Sequence, residues 1–242
     1  MKCSMTAPRH AENSSDLLSQ VAALRDRIDN LEKRAQAAED NLAIANLQRA
    51  YGYYVDKSQW EHVADLFARD AVLEINGRGR FIGHERIREY MRHFGPPKRG
   101  LLMNHMQLQP VIHVDPDGLH GNARVRALMM VGQMGDHAMW GEAIYENAYV
   151  KEDGVWKIRI LNYKPQWHAD FDKGWAYTQK NYVPFFSKTF SEGEATGPDE
   201  LQTDWLWPQR QVVPFHNLHP VTGKPMVPQE PGYLAYDKRD QK

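Results

Sequence analysis

The chain has 242 residues, a net charge of −1 and 25% charged residues, so no positive field draws it to nucleic acid or to an acidic membrane surface. No apolar run approaches the roughly 20 residues needed to span a bilayer, the N-terminus lacks a secretory apolar core, and the single cysteine, Cys3, excludes an intrachain disulfide or a Cys-based zinc site. The 42% apolar content is enough for the core of one large domain or one domain with extensions, and the expected location is cytoplasmic.

Residues 1–15 are polar and unpatterned and are expected to be disordered. From Leu17 the apolar positions Val21, Leu24, Ile28, Leu31, Ala35, Ala38, Leu42 and Ala45 repeat at three-four spacing. This predicts a long amphipathic helix, set off as residues 16–40, with a short kink allowed near Glu39–Asn41. Alanine at three of these eight positions favours close packing on the body or on a neighbour over a strong free coiled coil. The helical pattern continues from Ile44 to Asp56. A second helix is predicted over 58–69 with Ser58 as its N-cap.

A strand follows at 71–75, a turn at Asn76-Gly77, a short strand at 81–83, and a helix from His84 to Phe94 that Gly95-Pro96-Pro97 stops. Strands are predicted at 104–114, 121–132, 138–150 and 155–164. Their turns are tight, so they make an antiparallel meander. Residues 166–242 hold most of the prolines and few periodic runs. They read as an ordered arm over the body, because Trp175, Tyr182, Phe185, Phe186 and Phe215 are costly to leave in water. The expected organisation is therefore 1–15, 16–40, a domain at 41–165, and the arm at 166–242.

Two residues are candidates to carry chemistry, Asp56 against the plainer reading of a solvated helix-end residue. Asp56 ends a very apolar helical run, where a carboxylate meets the unfavourable end of the helix dipole. His105 opens a strand and shares parity with Gln107 and Gln109, which fits either a solvated face or a polar wall inside a concave sheet. Brought together, Asp56 and His105 would form a carboxylate–imidazole dyad able to move a proton. Tyr51 and Tyr54 could hold a substrate oxygen or pack in the core, and Trp60 belongs to the second helix. Trp140 and Glu142 share a strand face, where Glu142 fits an exposed cross-strand residue better than a second acid. Asn162 ends its strand within reach of a pocket mouth, and Tyr163 and His168 lie where the chain leaves the sheet. Arg78 and Arg80 flank a Gly-rich turn and read as surface residues. Eleven histidines raise the question of a metal, but His113 with His120, and His216 with His219, do not make a dense ligand set, so no metal and no cofactor is expected.

The frame Tyr51-x-x-Tyr54-x-Asp56, Trp60-x-x-Val63-x-x-Leu66-Phe67-x-x-Asp70-Ala71, Gly83-x-Glu85-x-Ile87, Asn104-His105, Glu146-Asn147-x-Tyr149 and Asp153-Gly-Val-Trp-Lys157 resembles the SnoaL-like branch of the nuclear transport factor 2-like superfamily. The resemblance covers Ile44 to Tyr163. It implies an α+β cone: a curved antiparallel sheet packed by helices, here with an N-terminal helical extension and a C-terminal arm. In dehydrating and dehydrochlorinating members an Asp near the end of the first cone helix supports a His base on the sheet, and Asp56 and His105 fall at the matching positions. The dehydrochlorinases also carry an arginine before the Asp-Gly-x-Trp turn, where this chain has Lys151. Length and layout resemble SnoaL-like proteins that degrade lignin-derived aromatics, the diarylpropane γ-formaldehyde lyases among them.

The resemblance implies a cofactor-independent lyase acting on a small aromatic compound. The rivals are a simple dehydratase or isomerase with the same dyad, and a non-catalytic binding protein or dioxygenase small subunit. A homo-oligomer, dimer or trimer, is the expected assembly, because one cone cannot cover the apolar seam of the first helix.

Overall fold

The computed structural model describes residues 9–177, 197–201 and 213–226, with side chains from Asp16 onward. The chain divides into two compact units, 1–40 and 41–242. The helix α1 runs from Arg9 to Asp56, with no interruption at Glu39–Asn41. It therefore enters the stretch read as disordered, of which residues 1–8 lie outside the description. Every residue from Asp16 to Glu39 is exposed.

The second unit is α+β. After α1 come α2 (Trp60–Asp65), β1 (Phe67–Ile75), β2 (Gly79–Ile82), α3 (His84–Arg92), β3 (Leu101–Val114), β4 (His120–Gln133), β5 (His137–Glu152) and β6 (Val155–Asp170). The six strands form one curved sheet in the order β2-β1-β6-β5-β4-β3. The meander from β3 to β6 is antiparallel throughout, as its tight turns require. The sheet is nonetheless mixed, because β1 lies parallel to β6. Sequence gives no sign of that pairing, since the connection from β1 to β6 passes through five other elements.

Three local predictions change. The helix expected over 58–69 is only Trp60–Asp65, because Phe67 and Ala68 are fully buried in β1, where Phe67 is in register with Ile158. Ser58 is not its N-cap: it has φ 53, and Gln59 stands at the cap without a side-chain bond. Gln109 does not share a face with His105. The β3–β4 register shifts between Leu108 and Val111, and Gln109 takes φ 50. Pro110, which lacks an N–H for the ladder, explains the bulge. Finally β6 continues through Pro165 to Asp170, so residues assigned to the arm belong to the sheet.

Ile44, Tyr51, Val55, Val63, Phe67 and Leu161 belong to the core between the helices and the concave face of the sheet. A polar thread is buried with them. Gln48 donates to Gln107 Oε1 at 2.8 Å and accepts from the Tyr149 hydroxyl at 2.7 Å and from Asn147 at 2.9 Å. These bonds fix α1 to β3 and β5 at one height, about one turn before the helix delivers Tyr51 and about two turns before Asp56. Among the described residues no helix is long and apolar enough to cross a membrane. Of the arm aromatics, Trp175 is half-exposed rather than covered, Phe215 lies under the Arg124 guanidinium, and Tyr182, Phe185 and Phe186 lie outside the described residues.

Candidate active site

The concave face encloses a cavity of about 410 Å³, within the range of small-molecule sites. Tyr51, Tyr90, Tyr145 and Tyr163 line it together with Met103, Met129 and Met139. His105 lies on its wall. Asp56 Oδ1 accepts the His105 backbone N–H at 2.7 Å and faces His105 Nδ1 at 3.3 Å. Both side chains are mostly buried. An ionised carboxylate only accepts, so Nδ1 facing it carries the proton, which leaves Nε2 as the nitrogen free to exchange one. The 3.3 Å separation is long, as is common in catalytic pairs before substrate binds.

Backbone contact makes the dyad possible. A Cβ on Gly52 would stand 2.8 Å from Gln107 Cγ and 2.9 Å from the His105 carbonyl oxygen. Only glycine therefore lets α1 approach β3 closely enough for Asp56 to reach the His105 main chain. Gln107 donates back to the His105 carbonyl at 2.8 Å, which secures the same peptide from the other side.

A second histidine lies on the wall. His168 is buried, and its pKa is pushed down to about 3, first by burial and then by the Arg78 guanidinium and His105. It is a neutral imidazole at ordinary pH, with Nε2 3.3 Å from the Tyr163 hydroxyl, which is also 3.1 Å from Met129 Sδ. Burial holds the Tyr51, Tyr145 and Tyr163 hydroxyls well above the usual phenol range, so all three remain neutral donors. Gly141 gives His168 its room, since a Cβ there would meet the imidazole at 2.6 Å. Arg78 reaches the cavity from the β1–β2 turn and donates to the Tyr90 hydroxyl at 2.6 Å.

Among the residues singled out from sequence, Tyr51, Trp60, Trp140, Tyr163, His168 and His105 line the cavity, with Asp56 directly behind His105. Trp60 is tied through its indole N–H to the Gly95 carbonyl. Trp140 borders the cavity, but its ring packs on Trp167 at 5.3 Å and Phe171 at 6.0 Å. Tyr54, Glu142 and Asn162 do not line it. Tyr54 packs on His62. Glu142 accepts from Trp167 Nε1 and Arg126, the cross-strand role that parity favours. The Asn162 backbone N–H donates to Asn147 Oδ1 at 2.9 Å.

Tyr90, Tyr145 and the methionines Met91, Met103, Met129 and Met139 escaped sequence reasoning, and Arg78, read there as a surface residue, lines the cavity instead. The alternation Met139, Gly141, Ala143, Tyr145 on β5 marks the inner face, and attention to the small residues in it would have found Tyr145. Arg78 had no such signal, because a turn arginine is exposed by default.

Solved structures of other proteins resemble this one in fold. LinA aligns with a TM-score of 0.52 at 18% identity, over 63% of this chain and 99% of that one. A type 2 hexachlorocyclohexane dehydrochlorinase (LinA) gives 0.49 at 22%, over 66% and 98%. An NTF2-like protein with a cystatin-like fold from Novosphingobium aromaticivorans gives 0.48 at 18%, over 61% and 92%. At these identities the likeness speaks for the fold. The model of the SnoaL-like domain matches residues 36–162, more than half of the chain and the whole stretch that builds the dyad, so this protein belongs to the SnoaL-like family.

Proposed function

We propose that this protein is a cofactor-independent lyase for a small oxygenated aromatic compound, with His105 as base and proton shuttle. The carrying observation is the single carboxylate oxygen, Asp56 Oδ1, that meets both the backbone N–H and Nδ1 of His105 at the wall of an aromatic cavity. Asp56 orients the imidazole and stabilises the imidazolium as it forms. A packing histidine has no need of this arrangement. The neutral hydroxyls of Tyr51 and Tyr163 offer hydrogen bonds to substrate oxygens. Arg78 offers a positive charge beside the buried tyrosines, where it would hold a phenolate.

The substrate that best uses these groups is a lignin-derived diarylpropane diol with a para-phenol. Loss of the phenolic proton and of the benzylic hydroxyl, leaving as water, gives a quinone methide. His105 Nε2 then takes the proton of the terminal hydroxymethyl group, the carbon–carbon bond to that group breaks, and formaldehyde leaves. The released electron pair restores the phenolate and forms the stilbene double bond. The products are stilbene, formaldehyde and water. The electrons never leave the substrate, so the sequence balances without a redox partner.

The test is incubation of purified protein with diarylpropane diols and related phenolics, followed by mass spectrometry and formaldehyde assay. Stilbene with equimolar formaldehyde is the expected result. A product that has lost water and kept its hydroxymethyl carbon would instead support the dehydratase reading of the same dyad. No turnover of any phenolic, with tight binding, would favour a binding protein.

A further inference from the structure

The N-terminal part of α1 carries an exposed apolar seam. Leu17, Leu24, Ile28 and Leu31 are each more than half exposed, and Val21 is 38% exposed. In heptad terms Val21, Ile28 and Ala35 occupy the a positions, and Leu17, Leu24, Leu31 and Ala38 the d positions. A β-branched residue at a with leucine at d is the combination that favours two parallel strands. The flanking positions add an independent signal. Arg27 and Arg34 stand at g, and Glu32 and Glu39 stand five residues further on at e. In a parallel, in-register pair each g residue faces the e residue of the next heptad on the other helix. Arg27 then meets Glu32, and Arg34 meets Glu39, twice over by symmetry. In an antiparallel pair g faces g, and the arginines would oppose one another.

We infer that residues 17–39 of α1 form a parallel two-stranded coiled coil with the same segment of a second copy of this chain, its register fixed by Arg27–Glu32 and Arg34–Glu39 pairs between the helices. The occupant is a second copy because the charges complement the chain's own seam in that one orientation. The alanines Ala35 and Ala38 bring the helices close toward the C-terminal end of the segment, where side chains are small. The exposed helix also needs such a partner, since a long helix gains most of its stability from packing its apolar face. This inference is independent of the reaction assigned to the cavity, since none of these residues lines it.

The test uses the full chain with Cys3→Ser as background. Leu17→Cys and Leu31→Cys are made separately and oxidised. A parallel in-register pair places each position against itself, so both variants give disulfide-linked dimers, whereas an antiparallel pair can place at most one position so. In the Leu31→Cys background, Glu32→Arg with Glu39→Arg should lower cross-linking at limiting concentration at least about tenfold, and so should Arg27→Glu with Arg34→Glu. Mixing the two charge variants should restore it, because the pairs are then opposite again. Cross-linking at neither cysteine, or at only one, would overturn the inference, and so would charge variants that cross-link like the parent or a mixture that fails to recover.

Discussion

The smallest unit of the proposed chemistry is a single oxygen. Asp56 Oδ1 meets both the His105 main chain and its ring, so it sets the position of the base and its tautomer together. His105→Ala is expected to lower turnover at least about a hundredfold, the usual worth of a general base, with substrate still bound. Asp56→Asn should lower kcat more than it changes KM, because it removes the charge that stabilises the imidazolium; equal effects on both would point to a packing role. His168 differs in kind. Its folded-state pKa of about 3 lies below the ordinary 6.5, so between these values the unfolded chain binds a proton that the native chain does not. Stability is then fully present above about pH 6.5 and is lost as pH falls, by up to about 1.4 kcal/mol per pH unit from this one group. Denaturant unfolding of His168→Gln and wild type between pH 4 and 7 checks this. The variant should show a shallower fall, and parallel curves would count against the buried neutral imidazole. At this scale the sequence was half legible. Asp56 and His105 stood in recognisable frames, whereas Arg78 and Tyr145 depend on how a turn and a strand face the cavity.

At the scale of elements, the dyad depends on the crossing of α1 and β3, and Gly52 sets that crossing. Gly52→Ala presents two opposed effects. Alanine in a helix interior gains about 1 kcal/mol over glycine. The new Cβ would stand 2.9 Å from a backbone carbonyl, and overpacking of this kind costs about 1–3 kcal/mol. The second effect is the larger, because the His105 peptide is held by Asp56 on one side and Gln107 on the other and cannot step aside alone. The variant is expected to be less stable by about 1 kcal/mol and to lose activity as α1 is pushed away from the dyad. Thermal unfolding and steady-state kinetics measure both. A stabilised, fully active variant would show that the helix has room. The meander was readable from its turns, since Asp115–Gly118, Gly135-Asp136 and Asp153-Gly154 interrupt alternating runs. The parallel pairing of β1 with β6 was not, because strand order is fixed by packing between distant elements. Pro110 was legible in principle: a proline inside a strand predicts a bulge, and the bulge is what separates Gln109 from Gln107.

For the molecule as a whole, the described segments 197–201 and 213–226 are tied back to α3 and the sheet through arginines. Arg86 binds Asp199 and the Gly197 carbonyl, and Asp199 also accepts the Ile82 N–H at 2.8 Å. Arg124, on β4, pairs with Glu146 on β5, donates to the Val213 and Pro214 carbonyls at 3.1 Å, and covers the Phe215 ring at 3.9 Å. His216 closes the group, with Nδ1 2.6 Å from Glu146 and Nε2 3.2 Å from His113. Composition predicted an arm over the body, yet such pairs span tens of residues and leave no local pattern, so their places could not be read in advance. The two outward arginines of β4 make a controlled comparison. Arg124 and Glu146 are largely buried, so Arg124→Met leaves a carboxylate without its main partner, and about 3 kcal/mol of stability should be lost. Arg126 pairs with Glu142 in the open, and Arg126→Met should cost less than about 1 kcal/mol. Limited proteolysis should cut Arg124→Met faster within 213–216, where two carbonyls and a ring have lost their anchor, and should leave Arg126→Met unchanged there. Equal cleavage and equal stability in the two variants would mean that the segment is held by Val213, which is buried, and by its apolar contacts rather than by the arginine.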